Sequence, residues 1–329
     1  MEQYVIALDA MGGDNAPRCN VEGAVLALRR FSDVRILLAG PSAQLEPLLA
    51  NAGDVRDRIE IIEAGEVLGM DEPPMLAVRE GRAGAVVSAG STGAVLACGM
   101  LRIGRIPGVE RPALGPVLPG VKKPFILIDS GANVDCQPKY LVQFGLMGSV
   151  YMSSVLGVSD PAVGLVNIGT ESEKGNRLTR ETYQLMRIQT SYRFAGNCEA
   201  REVPSGDFDV VVADGFDGNL ILKYTEGLAG AMLTMLKENL MSSTRTKLGA
   251  LLCKPAFRSF KKRLDYNAHG GAPLLGVEGA VVKAHGSSGA EAISNAVRQA
   301  RTMLEGRVVE KIRAGLSGLE QEPSSNPIK

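Results

Sequence analysis

The chain lacks an excess of charge of either sign: Lys plus Arg and Asp plus Glu both number 36 among its 329 residues. That balance removes the broad positive field of a non-specific nucleic-acid binder, so nucleic acid is not an expected partner and any electrostatic recognition must be local. Paired cysteines are missing too. Cys19, Cys98, Cys136, Cys198 and Cys253 are scattered and never form C-x-x-C, which fits a reduced compartment and leaves no zinc site. With two histidines, His269 and His285, a His-rich metal centre cannot be built. No apolar run approaches the roughly 18 to 20 residues that span a bilayer. The opening segment MEQYVIALDAMGGD enters an apolar strand with no basic stretch before it, which predicts no signal peptide and a cytoplasmic protein, at most peripheral to a membrane. Three glycine signatures are absent as well: G-x-G, Gly-Lys and G-x-S-x-G. The dinucleotide fingerprint, the Walker A loop and the hydrolase nucleophile elbow go with them, so neither NAD nor ATP nor any other cofactor is expected.

What is present points to a large buried core, since 45% of the residues are hydrophobic and 22% charged. Short runs rich in Val and Ile recur at Tyr4–Leu8, Val34–Ala39, Ile59–Ala64, Ala85–Val87, Phe125–Ile128, Val163–Ile168 and Asp209–Ala213. They read as buried strands of a largely parallel sheet. Between them lie helical spacings such as Val21, Ala24, Val25, Leu28 and Ile293, Ala296, Val297, Ala300. The alternation predicts a doubly wound α/β fold forming one catalytic domain over 1–314. Within it, residues 225–264 carry a helical pattern without a strand, interrupted at Pro255, and are expected to project as a helical hairpin. The stretch 315–329 is rich in Gly, Ser, Pro and Glu and is expected to be a disordered tail.

Almost every expected strand runs into a loop of Gly with Asp, Asn, Ser or Thr: DAMGGD (9–14), SAGSTGA (88–94), DSGAN (129–133), NIGTESEKGN (167–176) and DGFDGN (214–219). In open parallel sheets ligands bind beyond the carboxyl ends of strands, so these loops are expected to meet at one cleft. Glycine allows close backbone approach, and amides at helix N-termini hold anions, which makes a phosphate-sized anion the natural guest. The candidate binding positions are Asp9, Gly12, Gly13, Asp14, Ser88, Gly90, Ser91, Thr92, Gly93, Asp129, Asn133, Asn167, Glu171, Asn176, Asn197, Glu199, Asp214 and Gly218. Ordinary turn chemistry is the competing explanation for each loop taken alone; for Asp9, Asp14, Asp129 and Asp214 it is an Asx-turn or cap.

These loops, in order, with GNCEARE, GGAPLLGV (270–277) and KAHGSSGAEA (283–292), make the chain resemble the PlsX family of phosphate:acyl-acyl-carrier-protein acyltransferases along nearly its whole length. The resemblance implies transfer of a fatty acyl group from acyl carrier protein to inorganic phosphate, giving the acyl phosphate that feeds bacterial phospholipid synthesis. It also implies a homodimer and a fold like phosphotransacetylases and isopropylmalate dehydrogenases. Ser91, where the family usually has Asn, and Ala284, where Ser is common, depart from the pattern. Such a reaction needs an oriented phosphate, a stabilised oxyanion and a leaving thiolate. Lys174 is the candidate to neutralise phosphate or oxyanion, Asn219 to donate a hydrogen bond, and His285 to touch phosphate or protonate the thiolate. A surface lysine, a helix cap and a satisfied turn histidine are the plain alternatives, and His269 reads as structural. Competing functions are a phosphotransacetylase using acyl-coenzyme A and a non-catalytic acyl- or phosphate-binding regulator of lipid synthesis.

From Met241 to Leu264 there are seven basic residues and no acidic one: Arg245, Lys247, Lys254, Arg258, Lys261, Lys262 and Arg263. Interleaved Leu248, Leu251, Leu252, Phe257, Phe260 and Leu264 supply an apolar side, as in an interfacial amphipathic helix. An anionic membrane surface, the acidic carrier protein, the dimer mate and the downstream glycerol-3-phosphate acyltransferase are the partners this segment brings into view.

Overall fold

A computed structural model describes residues 3–64, 73–264 and 270–319. The strands, in chain order, are β1 (Tyr4–Asp9), β2 (Val34–Ala39), β3 (Ile59–Ile62), β4 (Ala85–Ser88), β5 (Ala113–Leu114), β6 (Val117–Leu118), β7 (Phe125–Ile128), β8 (Ala162–Asn167), β9 (Arg193–Glu199), β10 (Val210–Val212), β11 (Ala272–Leu275) and β12 (Ala280–Lys283). The helices are α1 (Arg18–Arg30), α2 (Ser42–Leu49), α3 (Pro73–Arg79), α4 (Thr92–Cys98), α5 (Pro138–Leu156), α6 (Arg177–Ile188), α7 (Gly215–Leu240), α8 (Thr244–Leu252), α9 (Lys254–Leu264), α10 (Ala290–Glu305) and α11 (Val308–Leu319).

The α/β reading holds, with two sheets where the strand rhythm had implied one. The larger is ordered β3-β2-β1-β4-β12-β11-β5 and the smaller β6-β7-β10-β8-β9. Pairing is parallel except at β11, antiparallel to both neighbours, and at β6, antiparallel to β7. The segment from β5 to β6 leaves one sheet and enters the other after Gly115 and Pro116. A single core nevertheless crosses both sheets, joining Ile6 and Val282 of the larger to Ile126 and Val210 of the smaller through Phe144 and Met147 of α5 and Ile293 of α10.

The helices form where the sequence spacing places them, and for the expected reason. Val21, Ala24 and Leu28 of α1 and Ile293, Ala296, Val297 and Ala300 of α10 are all buried, facing one another over the larger sheet. α5 starts on Pro138 at its first position and ends on Gly157 at φ 71°, the asymmetry that starts and stops helices. The disordered tail expected from Gly315 is not seen over 315–319. α11 continues to Leu319 because Leu316 is buried and Gly315 lies against the Leu146 side chain, so packing overrides composition; residues 320–329 lie outside the described residues. The strand-free region begins earlier than Thr225: α7 runs unbroken from Gly215, and the interruption expected at Pro255 falls at Cys253, with Pro255 in the first turn of α9.

Candidate active site

The parallel strands β1, β4, β7, β8 and β10 all end in the Gly-rich loops singled out above, and each sheet gathers its own at one edge. In the larger sheet the loops are tied directly. Asp9 Oδ1 accepts from the amides of Met11 and Gly12, both at 3.0 Å, while Ser88 Oγ donates to Asp9 Oδ2 at 2.7 Å and accepts from Gly90 N at 3.0 Å. Gly12 is packed so closely that a Cβ there would stand 2.2 Å from Asp9 Oδ2. Asp14 N donates to Gly286 O at 2.8 Å, and the Asn15 amide reaches the carbonyls of Ser287 and Ser288. Asp9, Gly12, Gly13, Asp14, Ser88 and Gly90 therefore form one assembly with the loop that carries His285. Ser91 caps α4 by accepting from Ala94 N at 3.2 Å, with Thr92 and Gly93 in its first turn, so the hydroxyl at this position has a structural task.

In the smaller sheet Asp129 is fully buried and its carboxylate organises the loop. It accepts from the amides of Leu114, Ala132 and Asn133 and from the Asn133 side chain at 3.0 Å. Burial pushes this carboxyl up from its ordinary range, and those N–H groups pull it back. Asn133 also donates to Pro112 O at 2.8 Å. Asp214 caps α7 by accepting from Asp217 N at 2.8 Å. At Gly218 a Cβ would lie 1.9 Å from Asp129 O, so only glycine lets the first turn of α7 sit down on the β7 loop. That descent sets Asn219, exposed, beside Gly131.

The third group follows β8 and β9. Asn167 donates to Lys174 O at 3.1 Å, and Asn197 donates to Glu171 O at 2.8 Å. Asn176 caps α6, accepting from Thr179 N at 2.9 Å. Two carboxamides thus clamp the backbone of the loop and leave the Lys174 side chain exposed. Asn197 Oδ1 is buried without a hydrogen-bond partner. Glu199 pairs with Arg201 at 2.6 Å. Lys174, on the loop after β8, and Asn219, in the second turn of α7 after β10, follow strands that are neighbours in the sheet.

Where the sheets meet, an open cleft of about 110 Å³ has Thr92, Ser130, Lys283 and His285 among its lining. Ser287 N donates to His285 Nδ1 at 3.3 Å, which puts the ring proton of the neutral form on Nε2. Lys283 and Lys223 are the residues that sequence reasoning passed over. Lys283 lay in plain view beside His285; what motif spacing cannot convey is its half-burial. Burial, with Lys223 nearby, lowers its ammonium from the usual lysine range, and Asp14 opposes the shift. Cys136 sits under Asn133 O at 3.4 Å, but burial pushes its thiol up to about 12, so it stands as a thiol rather than a nucleophilic thiolate. Among the described residues no group of three His, Cys, Asp or Glu is placed to hold a metal.

Arg245, Lys247, Lys254 and Arg258 are exposed on α8 and α9; Lys261, Lys262 and Arg263 continue α9. His269 lies outside the described residues.

The model of the family described as "Fatty acid synthesis protein" matches residues 4–311. A phosphate acyltransferase of Clostridium acetobutylicum is 47% identical, the match covering 96% of this chain and 99% of that one. One from Clostridium perfringens is 48% identical over 93% of this chain and 95% of its own. Among solved structures, a phosphotransacetylase from Staphylococcus aureus superposes with a TM-score of 0.62 at 14% identity, covering 92% of this chain and 94% of that chain. One from Streptococcus pyogenes gives 0.61 at 15% identity, over 96% and 94%; at such identities the likeness is one of fold. With full-length matches at nearly half identity and the strand-end loops in place, the chain belongs to the fatty acid synthesis protein family.

Proposed function

We propose that this protein transfers a fatty acyl group from an acyl-carrier-protein thioester to inorganic phosphate, forming an acyl phosphate for phospholipid synthesis. The observation that carries the reading is the seam itself: anion-suited strand-end loops and a half-buried lysine border an apolar cleft. Its relatives named phosphate acyltransferase support the same chemistry. A phosphate oxygen attacks the thioester carbonyl carbon, the C–S bond breaks, and the thiolate leaves to take up a proton. The second ionisation of a phosphate monoester lies near ~6, and inorganic phosphate, chemically similar, is in good part dianionic near neutral pH; a thiol of pKa about 8.5 leaves readily. Positioning and charge stabilisation therefore carry most of the acceleration. In this scheme Lys174 neutralises phosphate or oxyanion, Asn219 donates to the oxyanion, and His285 Nε2–H faces phosphate or the departing sulfur. Asn167 and Asn197 act through Lys174 by holding its loop. The high pKa of Cys136 favours direct attack over an acyl-enzyme.

The test is trapping of the acyl phosphate with hydroxylamine, comparing acyl carrier protein and coenzyme A as donors. Phosphate-dependent hydroxamate from the carrier-protein donor is the expected result. Hydroxamate from coenzyme A donors alone would move the assignment to a phosphotransacetylase, and none from either would leave a binding protein.

The hairpin supports two further elements of the reading. Beyond Gly218 no residue of the 26-residue α7 is buried, and Leu220, Tyr224, Leu228, Met232 and Met235 are exposed along it. A second copy of the chain packed on this surface would cover it, giving a homodimer. The basic and apolar residues of α8 and α9 then meet an anionic membrane surface, although no helix among the described residues is long and apolar enough to cross one.

A further inference from the structure

The cleft at the seam has more apolar wall than the reacting groups require. Leu114, Pro116, Val117, Leu118 and Leu222 face it. The first four belong to the segment that passes from the larger sheet into the smaller, and β6 lies antiparallel to β7 with Val117 opposite Ile126 and Leu118 opposite Phe125. The wall therefore follows β7 backwards from the loop of Ser130 at the mouth. From Ser130 to Phe125 that is about 16 Å at roughly 3.3 Å per residue.

The opposite side comes from α7. Leu222, Lys223 and Glu226 line the cleft, and with Asn219 they stand at i, i+3, i+4 and i+7, on one helical face. The face that offers Asn219 at the reaction centre thus continues, one and two turns on, along the slot. Lys223 is bonded to Glu226 at 2.8 Å, which neutralises that side of the rim and leaves its aliphatic stem against the opening. Apart from the His285 imidazole the lining holds no aromatic ring, and five of its side chains are Leu, Pro or Val. Its chemistry selects a flexible alkyl chain, whose burial is favourable in proportion to its area.

We propose that this seam cleft holds the alkyl chain of the acyl donor, and that Leu118 at its inner end and Leu222 on its side set the chain length accepted. The inference rests on the acyl-transfer reading. With the carbonyl carbon near Asn219 and Gly131, the chain runs inward between α7 and β6, and Lys283 at the mouth lies on the side from which an anion approaches.

Two measurements test it. The first compares kcat/KM for butyryl, octanoyl, dodecanoyl and hexadecanoyl donors in wild type, Leu222→Trp and Leu118→Ala. Narrowing the slot with Leu222→Trp is expected to lower the hexadecanoyl-to-butyryl ratio by about tenfold or more, the scale of methylene discrimination in an apolar pocket. Leu118→Ala is expected to move the optimum toward longer chains. Ratios unchanged in both variants, or losses equal at every chain length, overturn the proposal. The second measurement needs no variant: a hexadecanoyl donor bearing a terminal diazirine is irradiated on the wild-type protein and the label mapped by peptide mass. Labelling of 114–118 or of α7 around Leu222 supports the slot, and labelling elsewhere overturns it. Wild-type protein that forms no acyl phosphate from any donor removes the acyl-transfer reading instead, so the two failures are distinct.

Discussion

Four N–H groups converge on Asp129, and no cation is among its hydrogen-bond partners. The residue was read as either a ligand contact or a loop organiser; its complete burial and its three backbone and one side-chain donors show that it organises the loop. Replacing it with Asn turns an amide N–H₂ toward donors that need an acceptor. Asp129→Asn is expected to cost about 2 to 3 kcal/mol, read as a lower urea midpoint at unchanged slope, with turnover falling as the Gly131–Asn133 loop loosens. Exposed Lys174 and Asn219 contrast with it, having little packing to lose. Lys174→Ala and Asn219→Ala are each expected to lower kcat by about 10² to 10³ with thermal midpoints near wild type. Normal turnover in either variant would reject that residue's role.

At the scale of elements, α10 is fastened to the larger sheet by Arg301. Its guanidinium donates to both oxygens of Asp33, just before β2, with Nε at 3.0 Å and Nη2 at 2.6 Å, and lies over the rings of Tyr4 and Phe31. The pair holds the Asp33 carboxyl below the usual carboxylate range. A depressed folded-state pKa stabilises the fold above the unfolded value, near 3.9, and that stability is lost as pH falls through the lower folded value. Arg301→Gln is expected to cost about 1 to 3 kcal/mol near neutral pH, with the gap to wild type closing in acid; a gap independent of pH would show that ring packing, not charge, does the fastening. The same element carries the loop of His285 at its N-terminal end, so its seating bears on the site. Four of the five strands overlooked in the sequence have local causes, whereas β12 (AVVK) has none. β9 contains Gly196 at φ 107° beside a register shift, β11 contains Pro273, and β5 and β6 have two residues each. All of these weaken the periodic signal on which strand reading depends.

Across the described residues a packed two-sheet body contrasts with α7, α8 and α9, which carry exposed apolar and basic residues. The proposed dimer is expected to sediment at twice the chain mass of 34.8 kDa, and Leu228→Glu with Met232→Glu to shift it toward monomer. Charge reversal at Arg245, Lys247, Lys254 and Arg258 is expected to abolish flotation with anionic vesicles while neutral vesicles bind neither form, since each basic group near such a surface contributes about 1 kcal/mol. Flotation that survives the reversal would assign the basic segment to a protein partner.

By itself the sequence determined the class of fold and the company of loops. Short Val- and Ile-rich runs favour paired strands, and glycine with Asp, Asn or Ser after each run favours a turn. It also determined the family, because eight such motifs in fixed order carry far more information than any one. What the tertiary structure alone decided was which of those residues tie the loops together and which line a cleft. Asp9, Ser88 and Asp129 were spent on holding loops, whereas Lys283, Lys223 and Leu222, ordinary in sequence, were brought to one cleft by strand order and by a single helical face. Burial and proximity between distant segments depend on how the two sheets meet, and no local pattern of residues encodes that meeting.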